Sequence, residues 1–310
     1  MRGVLRVGTA WAIIGAVIGA GLASGREVAA FFSRWGPWSW LGVASATVTI
    51  GLMGHRAMRP AAPAWWRTAL LTALLTATGG AMLAGSGEIA ALTLPLRGAY
   101  WLGLAGTLGL AAFFSERNLA GLAALSRALV GSLLALLIPA LLLPPTRGAW
   151  LTPPSAARPL IRGLCYGGFN VALATPVLAE AADLPPGEKR RLALSSSAAL
   201  GLILALGNAV LLRHPGLAGQ PLPYVALAAR LGRWGQGVAA LALYLATLTT
   251  LTACLRGLRG LLRARWAVAL PALVALMGFT GAVDALYPAL GALCCAGEIF
   301  GRPRPRDCRS

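Results

Sequence analysis

The stretch AIIGAVIGAGLASGREVAAFF, residues 12–32, decides how the rest of the chain is read. It is long and apolar enough to cross a bilayer, for which an α-helix needs about 20 residues. Yet it places Gly15, Gly19, Gly21 and Gly25 within eleven residues. Each glycine costs a helix about 1 kcal/mol relative to alanine. Two physical readings stay open. Gly15 with Gly19, and Gly21 with Gly25, can let helices approach closely, as GxxxG pairs do. Or the helix unwinds, leaving backbone N–H and C=O groups to hold a ligand. A membrane tolerates that only where the backbone is buried or lines a cavity.

The chain around this stretch is 310 residues long, 57% hydrophobic and 12% charged. A soluble domain carries about 25% charged residues. This one cannot cover a water-facing surface, so a soluble enzyme, a disordered chain and a collagen-like fibre are excluded. Apolar runs lie at roughly 7–32, 37–54, 67–94, 98–114, 118–143, 160–182, 190–212, 222–255, 264–280 and 283–300. They predict ten membrane helices, which leaves no room for a sizeable soluble domain. A leader cleaved after LASG at 22–25 is not expected, because nine more runs follow.

The net charge of +18 comes from arginines dispersed between apolar runs. That is the pattern of membrane topology rather than of a nucleic-acid partner. With the N-terminus in the cytoplasm, 18 of the 27 Lys and Arg residues fall on the cytoplasmic side. They cluster at 2–6, 56–67, 117–127, 189–191 and 256–265, and in the arginine-rich tail 302–310. The other side holds Arg26, Arg34, Arg97, Arg147, Arg158, Arg162, Arg213, Arg230 and Arg233. The bias supports an even number of spans, with both termini in the cytoplasm of a multi-pass inner-membrane protein. Cys165, Cys254, Cys294, Cys295 and Cys308 form no CxxC pair and no metal spacing with His55 or His214. Neither a disulfide framework nor a transition-metal site is expected.

Ten spans divide at the Pro- and Gly-rich connection 144–159, giving repeats of about 1–145 and 155–301. Five is odd, so related halves would form an inverted repeat. The sixth run, LCYGGFNVALATP at 164–176, is also interrupted, by Gly167-Gly168 and by Pro176. Glycine- or proline-interrupted segments at corresponding places in two halves point to a transporter site.

GAVIGAGLASGREVAAFF at 15–32 resembles the first-helix signature of the YkvI-like membrane proteins. Further matches run in order: AMLAGSGEIA at 81–90, GGFNVALATPVLAE at 167–180, LATLTTLTACLRGL at 245–258 and GFTGAVDALYPALG at 278–291. The resemblance covers nearly the whole chain, although that family usually carries Gln where this chain has Arg26. The family is similar to the amino acid–polyamine–organocation superfamily. That implies an all-α LeuT-type fold of ten helices in a 5+5 inverted repeat, with helices 1 and 6 interrupted. It also implies a solute held between those two helices, against helices 3 and 8.

On that reading the solute site is formed by Gly19, Ala20, Gly21, Ser24, Gly25, Ser86, Gly167, Gly168, Phe169 and Asn170, with Phe169 as a lid. Tyr166 and Tyr244 are further pocket candidates. The eighth run carries Thr247, Thr249, Thr250 and Thr252. Threonines in membrane helices can bond the carbonyl one turn back, but oxygen ligands also suit a hard cation. The resemblance implies a Na⁺ site made by Thr249 and Thr250 with the carbonyls of Ala16 and Gly19. Charge inside a membrane is costly and marks function, so Glu27, Glu88 and Arg127 are candidate coupling charges. A fixed cation at Arg127 would replace sodium. Glu180 and Asp183 are expected to pair with Lys189, Arg190 or Arg191. Trp35, Trp38, Trp40, Trp65 and Trp66 read as interfacial anchors.

The expected function is secondary transport of a small, amino-acid-like solute, coupled to Na⁺ or H⁺, with no other cofactor. A non-transporting solute sensor on the same fold is the alternative. A membrane enzyme is not expected, because HExxH, GxSxG and clustered His/Asp residues are all missing from the sequence.

Overall fold

The computed structural model describes residues 2–59, 65–117, 119–151 and 155–276. Among these residues every regular element is helical. The first span comes in three pieces: α1 (Arg2–Val17), α2 (Ala20–Ala23) and α3 (Arg26–Phe31). A 3-10 turn over Ser33–Trp38 leads into α4 (Ser39–Ala57), then α5 (Trp65–Thr93), α6 (Ala99–Glu116) and α7 (Leu119–Ala140). After the connection come α8 (Ala157–Ala179), α9 (Pro186–Arg213), α10 (Pro223–Arg230), α11 (Gly232–Leu262) and α12 (Ala269–Ala275). The eighth apolar run therefore divides. Pro223 opens α10, and Gly232, at φ 74, turns the chain into α11. Four helices, α5, α7, α9 and α11, are each long and apolar enough to cross a membrane. The end of the ninth run, the tenth run and the tail lie outside the described residues, and Asp284, Glu298, Cys294, Cys295 and Cys308 with them.

The sixth run departs from expectation. α8 is one helix from Ala157 to Ala179, with no break at Gly167-Gly168. Its glycines serve close packing instead. A Cβ on Gly163 would overlap the Gly42 carbonyl of α4, and one on Gly167 would come within 2.7 Å of Thr49 Cβ. Ser45 Oγ of α4 donates to the Leu160 carbonyl at 2.9 Å, tying the same pair of helices. Pro176 costs α8 one backbone bond, but it sits three residues from the helix end and packs against Gly257 of α11.

Two apolar clusters meet at the first span. Ile18 and Leu22 belong to a core shared with α4, α7, α8, α9 and α10. Ala20 instead joins Ala81 and Leu83 of α5, Ala111 of α6 and Leu248 and Leu251 of α11. The break between α1 and α2 thus lies on the seam between them.

The ends of α6, α8 and α11 are tied together by two arginines of α11. Arg256 pairs with Glu180 and also donates to the Ser115 and Arg117 carbonyls at the end of α6. Arg259 pairs with Glu116 at 3.1 Å and donates to Ser115 Oγ at 2.6 Å. This corrects the expected pairing of Glu180 with the basic run at 189–191. The last carbonyls of a helix have no partner within it, and a guanidinium can satisfy several of them and a carboxylate together. Lys189 turns to the Ala182 carbonyl, and Asp183 is exposed. Among the described residues Cys165 and Cys254 form no disulfide.

Candidate functional site

The first break is made by Ile18 and Gly19. The Gly19 N–H bonds the Val17 carbonyl at 2.9 Å, and the backbone is extended at φ −84, ψ 177. Neither this N–H nor that of Ala20 returns to the carbonyl four residues back, so the carbonyls of Gly15 and Ala16 leave the helical ladder. The ladder restarts where Ala23 N–H meets the Gly19 carbonyl at 3.0 Å. A second break follows at Gly25, which is left-handed at φ 81. Glycine is required there twice over. Its φ suits no other residue well, and the Tyr224 ring would lie 2.7 Å from a Cβ. Tyr224 N–H donates to the Ser24 carbonyl at 2.8 Å, and Ser24 Oγ to the Gly21 carbonyl at 3.0 Å.

Thr250 reaches this break. Its hydroxyl donates to the Ile18 carbonyl at 3.4 Å. The other three threonines bond carbonyls of α11 itself: Thr247 to Leu243, Thr249 to Ala246 and Thr252 to Leu248. Of the expected threonine pair, the structure brings Thr250 to the first span and keeps Thr249, though buried, within its own helix.

Glu27 folds back from α3 over Gly21 of α2. A Cβ on Gly21 would overlap the Glu27 carboxylate, so the glycine leaves the space that the acid fills. The carboxyl lies beside the Tyr166 hydroxyl of α8. Among the described residues it has no ion-pair partner. Tyr166 is fully buried, its ring 5.1 Å from Phe32 and 5.2 Å from Phe31. One turn on, the buried Asn170 donates to the Tyr166 carbonyl at 2.9 Å.

The other candidates sit elsewhere. Phe169 packs with Leu74 and Leu75 of α5 and with Cys254 and Leu258 of α11, so it seals helices rather than covering the break. Gly167 faces α4, and Gly168 is buried within the unbroken α8. Ser86 bonds its own Leu83 carbonyl at 2.7 Å. Tyr244 is half-buried beside the second cluster. Glu88 and Arg127 are both exposed. Helical rotation explains Arg127: its neighbour Ser126 is the residue turned inward, and it fills the space left by Gly15. Arg127 therefore does not reach the break, and its long stem can carry the charge to a membrane surface.

Two contributors escaped the sequence. Tyr224 sits between two prolines and α11, in what reads as the start of one long apolar run. Asn208 of α9 is fully buried and accepts from Ser33 Oγ at 2.8 Å while donating to Ser39 Oγ at 2.9 Å. It anchors the turn that follows α3. A lone Asn in LGNAV was its signal.

No protein-family model matches the chain, and no curated protein matches its sequence. Solved structures do match. A mutant of the manganese transporter of Eremococcus coleocola is 14% identical, with a TM-score of 0.57 over 96% of this chain and 76% of that one. A second mutant is 15% identical, with a TM-score of 0.55 over 95% and 76%. The same transporter in complex with an aromatic bis-isothiourea substituted compound gives 0.50 at 15% identity, over 96% and 76%. At this identity the likeness is one of fold. The chain shares the fold of this manganese transporter.

Proposed function

We propose that this protein is a secondary transporter of a small, amino-acid-like solute, working by alternating access and coupled to H⁺ or Na⁺. The fold it shares with transporters supports this reading over a sensor. The observation that carries it is that the broken first span gathers oxygens along its length: the loosened Gly15 and Ala16 carbonyls and the Thr250 hydroxyl at its first break, and the Glu27 carboxylate against Gly21 of α2. We assign backbone atoms of Gly19, Ala20 and Gly21 to the same site, with Tyr166 beside Glu27 and Asn170 one turn on from it. A carboxylate within a membrane span and without a cation is costly. Glu27 is therefore the group that meets the ammonium group of the solute or a metal cation in this reading. Carbonyl and hydroxyl oxygens complete the shell that a hard cation or an ammonium accepts.

The structural neighbours carry manganese, which sets the second reading. Among the described residues no three His, Cys, Asp or Glu side chains gather. One carboxylate balances one positive charge, which favours an amine. The test is uptake into proteoliposomes of labelled amino acids, amines and Mn²⁺, each under a pH or a Na⁺ gradient. Gradient-driven accumulation of an amino acid or amine, lost in Glu27→Gln, is the expected result. Uptake of Mn²⁺ alone would replace the solute, and gradient-independent flux would remove the coupling.

A further inference from the structure

Three of the arginines that depart from the cytoplasmic bias converge on one ring. The guanidinium carbons of Arg34, Arg158 and Arg162 lie 5.3, 6.0 and 5.9 Å from the centroid of Trp35. That tryptophan is not the exposed anchor its sequence context suggests, being only 5% exposed. An aromatic face attracts a cation, but three cations around one ring repel each other, and Arg162 feels both of its neighbours. Among the described residues none of the three forms an ion pair, and the Trp35 indole N–H and the Arg34 Nε–H are buried without an acceptor. Arg158 and Arg162 also ride on the first turns of α8, which has no acidic residue in its first turn and no side-chain cap. The positive end of the helix dipole adds to the same field. Donors meet from three guanidinium groups and an indole, with no acceptor among them.

We propose that this cluster binds a phosphate-type oxyanion, supplied by the headgroup of an anionic phospholipid. The fork of an arginine matches phosphate oxygens. The surroundings name the source. Trp38 and Trp40 are 47% and 43% exposed beside Trp35, and Ile161 and Leu164 are 56% and 50% exposed beside Arg158 and Arg162. Apolar surface for acyl chains therefore adjoins donors for the phosphate, at a level marked by tryptophans as a membrane interface.

The test uses the full chain in neutral detergent. Its melting is followed while short-chain phosphatidylglycerol, short-chain phosphatidylcholine or inorganic phosphate is titrated. The variants are Arg158→Gln/Arg162→Gln and, as a charge-matched control, Arg97→Gln/Arg233→Gln at two exposed positions. Phosphatidylglycerol should raise the melting temperature saturably in wild type and control, and phosphatidylcholine should not. Arg158→Gln/Arg162→Gln should weaken the apparent affinity roughly tenfold, two phosphate-facing cations having gone. If inorganic phosphate alone stabilises, with the same loss in that variant, the site stands and its ligand is a soluble anion. An unchanged response in Arg158→Gln/Arg162→Gln, or an equal loss in the control, overturns the site. Native mass spectrometry of retained lipid gives a readout that does not depend on melting. Arg158→Lys/Arg162→Lys keeps the charge without the fork, and it serves should the glutamine variant not fold.

Discussion

Gly21 and Glu27 act as a pair: the missing side chain of one houses the carboxylate of the other. Gly21→Ala should therefore reproduce Glu27→Gln by pushing the acid out of its place over α2. A charge-assisted hydrogen bond is worth about 1.5–3 kcal/mol, so both variants should lose about tenfold or more in coupled uptake while still inserting and melting as folded protein. Uptake rates at saturating solute and melting curves check this together. Thr250→Val removes the bond to the Ile18 carbonyl and should cost about 1 kcal/mol of stability, with weakened solute or cation binding. Thr249→Val, whose hydroxyl stays within its own helix, should leave binding in place. Titrations of both variants distinguish them. The threonine run was legible in the sequence. Which threonine faces the first span was not, because that depends on the rotation of α11 by a fraction of a turn. Register likewise defeats a reading of charge in apolar runs: Arg127 and Glu88 are exposed, and Arg26 and Glu27, adjacent in sequence, point apart on α3.

Glycine density cannot tell an unwound helix from a closely packed one, and this chain contains both. The first span breaks at Gly19 and again at Gly25, whereas α8 keeps its ladder through Gly167-Gly168. The deciding quantity is what lies opposite each glycine, and that is set by helices distant in the chain. Gly163 faces backbone of α4, so Gly163→Ala should destabilise the protein by about 1–3 kcal/mol through overpacking. Gly106 on α6 has nothing within 4 Å of a would-be Cβ. Gly106→Ala should hold or raise stability, alanine being the better helix former by about 1 kcal/mol. Melting temperatures of the two variants in one detergent make the comparison.

Composition, apolar runs and the arginine bias were enough to read a polytopic helical protein, and the likeness in fold to transporters agrees. The ties that hold its helix ends were not legible. Arg256 and Glu180 meet across 76 residues of sequence, and no spacing rule encodes that. Loosening this tie should ease separation of α8 from α11. Both side chains are partly solvated, at 24% and 33% exposed, so Glu180→Gln should cost under about 1 kcal/mol of stability. Its expected signature is faster solute exchange, which counterflow in proteoliposomes would measure; unchanged exchange would leave the pair a purely static fastening. A last consequence follows from α8 being unbroken and interlocked with α4. Under the proposed function the broken first span is then the lever: α1 is the arm, Ile18–Gly19 the fulcrum, and α4 with α8 the wall it works against. On that reading cargo passes along one flank of the molecule. The reach of that short arm, rather than the rocking of a whole bundle, limits how large the cargo can be.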